Sequence, residues 1–101
     1  MEELTRLQAS RRSFRSHVTR ILNKVEETLA KELDELAITY LNTAVTQLER
    51  KREQIVQLDE QIFVRIQDAT ALEEAIIDSE ELQDLILEKV NELNRRVELF
   101  Q

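Results

Sequence analysis

Apolar residues near the start of the chain recur at Leu4, Leu7, Phe14, Val18, Ile21 and Val25. This is the alternating three-and-four spacing of a heptad stripe, interrupted once by Arg11. The opposite side carries Arg12, Arg15, Ser16, Thr19 and Asn23, so the pattern predicts an amphipathic helix over about residues 3–29. A second stripe, Leu33, Ala37, Leu41, Ala44, Leu48, Ile55, Leu58, Ile62 and Ile66, predicts one long helix over about 32–67. Beside it runs another apolar line of Ile38, Val45, Val56 and Phe63, broken at Arg52. Two lines on one helix imply two packing neighbours, which puts this segment in the middle of a bundle. The charged run Glu49-Arg50-Lys51-Arg52-Glu53-Gln54 crosses both lines, and there the core is expected to thin or to admit solvent. A third stripe, Leu82, Ile86, Val90, Leu93, Val97 and Phe100, closes the pattern.

The joints are less sharply written than the helices. Thr28-Leu29-Ala30-Lys31-Glu32 holds no helix breaker, so a single bent rod and two separate helices are both open. A turn is favoured because the first stripe, continued past Val25, falls out of phase with Leu33 and Leu36. At the second joint, Thr70 stands three residues ahead of Glu73, and Asp78 three ahead of Glu81. Both have the spacing of a capping box or its acidic relative, in which a short side-chain oxygen accepts from a free N–H of the first turn. The third helix is therefore expected over about 70–100, with a start near Thr70 and a restart near Asp78 both open. At about 1.5 Å per residue the three helices are roughly 35 to 50 Å long. The expected fold is all-α, an elongated antiparallel three-helix bundle or coiled coil, with residues 1–101 as one domain.

Composition narrows the reading further. The 101 residues contain no glycine, proline, cysteine or tryptophan, while 42% are hydrophobic and 35% charged. Hairpins and barrels thereby lose their preferred turn residues. Phosphate-cradling glycine loops, disulfides, thiolate zinc sites and thiol nucleophiles are removed as well. Most enzyme classes with a readable signature are thereby excluded, so a non-enzymatic role with neither cofactor nor small-molecule substrate is expected. Apolar runs such as Ile62-Phe63-Val64 stop at three residues, far short of the roughly 20 that a bilayer span needs. The opening Met1-Glu2-Glu3 lacks the basic-then-apolar order of a secretory signal, which makes the cytoplasm the expected compartment.

Charge is unevenly distributed. Residues 1–25 hold six basic and two acidic side chains, a net of +4, so the remainder carries −11 of the total −7. Between Asp68 and Asp84 there are seven acids and no base. The cluster Arg11, Arg12, Arg15 and Arg20, interleaved with hydroxyls, is the candidate anion site, suited to nucleic acid or to anionic headgroups. The competing reading pairs these arginines with the acidic third segment of the same bundle, and the net negative charge favours it. His17 is the sole histidine and has Arg15 and Arg20 beside it rather than an orienting carboxylate, so it is assigned to the surface or a partly packed site. Glu80, Asp84 and Glu88 stack one helical turn apart but lack the Glu-x-x-His element of carboxylate metal sites, and are assigned to a solvated face. Val64, Ile77, Leu87 and Leu99 fit no single stripe and are the candidate self-association residues, pointing to a homo-oligomer or a helical protein partner.

Several stretches resemble a known family. Leu4-x-x-Leu7, the paired bases Arg11-Arg12-Ser13, Val18-Thr19-Arg20, Ile21-Leu22-Asn23 and the acids Glu26-Glu27 are similar to the N-terminal Gag-like helical domain of unknown function in polyproteins of BEL/Pao-type LTR retrotransposons. The later Leu72-Glu73-Glu74-Ala75 and Ser79-Glu80-Glu81-Leu82-Gln83-Asp84 resemble that family's acidic segment ahead of its last helix. The resemblance implies a structural, self-associating role in a retroelement polyprotein or a domesticated derivative, with no active site to carry over. One departure is Leu29-Ala30-Lys31-Glu32-Leu33, where the family has a polar break. A spectrin-like coiled-coil adaptor is the alternative, with Phe14 standing where such repeats keep a tryptophan; a basic-helix module for nucleic acid or membrane is the second.

Overall fold

The structure, a computed structural model, describes residues 2–100. The chain forms three helices: α1 (Glu2–Leu29), α2 (Glu35–Phe63) and α3 (Ala69–Phe100). They pack into a rod of 50 × 21 × 18 Å, and no strand occurs among the described residues. None of these helices is long and apolar enough to cross a membrane. The backbone turns twice without glycine because neither joint needs a positive φ, and no described residue has one.

Both joints are set by an aspartate. The second helix starts at Glu35 rather than near 32, because Asp34 takes extended geometry and its side chain accepts from the Ala37 N–H at 2.8 Å. Leu33 is left in the connection, where it still packs against the core. The third helix starts at Ala69, one residue before the expected Thr70, because Asp68 Oδ2 accepts from the Ala71 N–H at 2.8 Å. With Asp68 as cap, neither Thr70 nor Asp78 begins a helix, and α3 runs unbroken through residue 78. The second helix also ends earlier than 67. Arg65 and Ile66 donate to the carbonyls three residues back, at 3.0 and 3.2 Å, and this tighter winding turns the chain. Arg65 Nη1 donates to the Gln61 carbonyl at 2.7 Å, which satisfies one acceptor of the closing turn.

α2 lies between the other two. It packs on both, whereas no Cα of α1 comes within 8 Å of one in α3. Both apolar lines of α2 are used as expected: Leu41, Leu48, Ile55 and Ile62 are fully buried, Ile38 and Val45 are buried, and Val56 and Phe63 are half-buried. Val18, Ile21 and Val25 of α1 and Ile86, Val90, Leu93 and Val97 of α3 complete the inside.

The expected thinning at Glu49–Gln54 is misplaced. Leu48 and Ile55 are fully buried on either side of that run, and Glu49, Arg50, Arg52 and Glu53 point to solvent. The polar break lies one turn further on. Asp59 is 1% exposed and stands 3.8 Å from Arg11 Nη1, while neither of its carboxylate oxygens accepts a hydrogen bond from the protein. Ser79 is also buried and its hydroxyl accepts from Gln83 Nε2 at 3.1 Å. Arg11, Asp59 and Ser79 all stand at inward heptad positions of their helices, beside Leu7 and Phe14, Ile55 and Ile62, and Leu82 and Ile86. The continuous apolar cluster includes Val18, Ile55 and Ile86 but not the buried Leu58 and Ile62.

Two outcomes follow from this packing. Replacing either cap, Asp34→Ala or Asp68→Ala, is expected to lower unfolding stability by about 1 kcal/mol in urea titrations. Arg11→Met alone strands the Asp59 carboxylate and is expected to cost about 3–5 kcal/mol, whereas Arg11→Met with Asp59→Leu is expected to be neutral or to stabilise by about 1–4 kcal/mol.

Candidate functional site

The four arginines of the basic cluster divide into two pairs. Arg11 and Arg15 turn inward along α1: Arg11 meets Asp59 of α2, and Arg15 Nη2 meets Asp78 Oδ2 of α3 at 3.0 Å. Arg12 and Arg20 are exposed and form no ion pair among the described residues. One arginine therefore reaches the acidic third segment, a second finds an acid on the middle helix, and two remain free.

Arg20 belongs to a larger feature that the sequence pattern did not assemble. Along the seam of α1 and α2 lies an open trough of about 590 Å³, floored by Phe14, Ile21 and Tyr40 and edged by Arg20, Lys24 and Lys51. Half-buried His17 also lines it, and no acidic side chain among the described residues does. Two of its cations rest on its rings: Lys24 Nζ sits 4.8 Å from the Tyr40 centroid, and Lys51 Nζ 4.7 Å from that of Phe14. Such contacts fix an ammonium over a ring face while leaving its other protons open to an acceptor. Lys51 belongs to the run that had been expected to thin the core, and instead folds over Phe14. Its assignment required knowing that α2 presents residues 40, 47 and 51 to α1, which no local spacing in either helix states.

The opposite charge collects on α3. Glu73, Glu74, Glu80, Glu81, Asp84 and Glu88 are exposed and form no ion pair among the described residues. No group of three His, Cys, Asp or Glu side chains among the described residues is placed to hold a metal ion. Each candidate self-association residue lies on the surface: Val64 is 80% and Leu99 78% exposed, and Ile77 and Leu87 about half as much or slightly more. Leu36, Ile76 and Leu85 join them, although Leu36 had no assigned role in the apolar pattern.

α1 and α3 are tied by charge rather than by backbone proximity. Lys89 of α3 donates to Glu26 of α1 and, at 3.0 Å, to Glu92 of its own helix. The Glu26 hydrogen bond is the main reason the Lys89 ammonium titrates above its usual 10.5; the Glu92 bond adds to it and desolvation opposes both. At the trough, burial raises the Tyr40 phenol above 10.0, with the Glu27 charge adding to the shift. No protein-family model, curated protein or solved structure matches the chain.

Both shifted groups hold their proton more tightly when folded, so their contribution is intact below the unfolded pKa and is lost as pH rises through the folded one. The melting temperature is therefore expected to fall as pH climbs beyond about 10. Lys89→Met is expected to lower stability at neutral pH by no more than about 1 kcal/mol, Glu26 being largely exposed, and to flatten the alkaline decline followed by circular dichroism.

Proposed function

We propose that this chain is a non-enzymatic structural module whose work is to bind other copies of itself. The observation that carries the reading is the set of aliphatic side chains left on the outside of a well-filled bundle, with Ile77, Leu87 and Leu99 on α3 and Val64 at the end of α2. Apolar side chains in such number on so slender a rod lower their free energy by being covered. α2 already packs on both α1 and α3, so these side chains are left without a neighbour inside the bundle, and a second copy is the cover proposed. In the finer form of the proposal, the module belongs to a Gag-like retroelement polyprotein or a derivative of one, on the strength of the sequence resemblance. The adaptor reading shares this architecture and differs in placing another protein on the same surface. A nucleic-acid module is less well supported, since Arg11 and Arg15 spend their charge inside the bundle.

Sedimentation velocity at micromolar concentrations tests the reading. Wild-type protein is expected to sediment as a dimer or larger species. Ile77→Glu with Leu87→Glu is expected to weaken association by more than roughly tenfold, because uncovering each apolar side chain costs about 1.5–3 kcal/mol. A wild-type chain that stays monomeric over that range overturns it.

A further inference from the structure

We infer that the cationic trough between α1 and α2 is the docking site for the outer, acidic face of α3 from a second copy of this chain. The inference rests on the self-association reading and names the two surfaces that meet. Shape comes first. The trough is edged from Ser13 to Lys24 on α1 and from Tyr40 to Lys51 on α2, so it extends roughly 16 Å along the helix axes at 1.5 Å per residue. That is three helical turns, a length suited to a helix laid along the seam and far longer than one phosphate group requires. Its section is suited to the same occupant, with an apolar floor of Phe14, Ile21 and Tyr40 beneath cationic edges. An amphipathic helix with an apolar residue toward the floor and acids toward the edges is the complementary form.

The chain carries an acidic helix face with one apolar residue at its start. From Ile77 to Glu88 the outer side of α3 presents exposed Ile77, Glu80, Glu81, Asp84 and Glu88 over the same three turns. Among the described residues these carboxylates form no ion pair, and neither do Arg20, Lys24 and Lys51. No α3 residue lines the trough, so within one molecule these acids and the trough cations do not meet among the described residues. Charge complementarity between copies satisfies both sets and accounts for a basic groove in a chain of net charge −7. A polyanion is the weaker occupant, since the remaining surface of the chain repels it.

Charge reversal provides the test, with circular dichroism confirming the fold of each variant. Arg20→Glu with Lys24→Glu turns the trough edge acidic, and Glu80→Lys with Asp84→Lys turns the α3 face basic; all four residues are exposed. Each variant alone is expected to associate more than roughly tenfold more weakly than wild type, like charges now facing each other. An equimolar mixture of the two is expected to regain association, because each then meets an opposite charge on its neighbour. Wild-type association is also expected to weaken with added salt. Variants that associate as wild type does, or a mixture that stays monomeric, overturn this docking mode while leaving self-association standing. A monomeric wild type overturns both. Binding of a short poly(U) RNA that the trough variant loses, with sedimentation of that variant unchanged, replaces the second copy by a nucleic acid and overturns the inference.

Discussion

The architecture depends on α2 having to bury two faces at once. A helix with a single apolar stripe is satisfied by one neighbour, but Leu41, Leu48 and Ile55 together with Ile38 and Val45 span too wide an arc for that. α1 covers one side and α3 the other, and the outer helices are thereby held apart, so that they communicate through long side chains. Arg15 to Asp78 and Lys89 to Glu26 span that gap. Exposed pairs of this kind add little stability, so their larger effect is on register: each marks the height at which α3 stands beside α1.

A consequence of this arrangement is that charge is sorted by depth. At Asp59 the inward heptad positions of α1 and α2 are polar, and the core is interrupted by an ion pair between Arg11 and a buried aspartate. An apolar layer there would pack at least as well and would tolerate sliding by a turn, whereas an arginine facing an aspartate has one low-energy alignment. Away from that level, the surface separates into a basic trough on the α1–α2 seam and an acidic outer face on α3. No acid of that face lines the trough. The same central placement of α2 that closes the core therefore leaves a basic surface and an acidic one, each without a partner of opposite charge among the described residues.

The helices, their approximate limits and the central place of the middle one were legible in the sequence, because each is a local property. A three-and-four alternation repeated over more than two turns has one helical solution, and two adjacent lines on one helix require two neighbours. The joints were read to within a few residues, and the error has a specific cause. Thr70–Glu73 and Asp78–Glu81 both have capping spacing, but Asp68 holds the position where the chain leaves the turn, so it takes the free N–H first and leaves Asp78 for Arg15.

Tertiary structure alone decided which charges are used internally. The apolar stripe set Arg11 apart from Arg12 and Arg15, which it placed on the opposite side, yet Arg15 turns inward because α3 brings Asp78 to it, while Arg12 and Arg20 face solvent. Similarly, Lys51 becomes part of a site only because α2 brings it over Phe14, a residue 37 positions away in the chain. Periodicity reports which side of a helix faces inward, and this is why the sequence by itself determined three helices and their core. It carries no information about the height at which two helices are aligned, and the height selects every partner across a seam: Asp59 for Arg11, Asp78 for Arg15, Glu26 for Lys89, and the ring beneath each trough lysine.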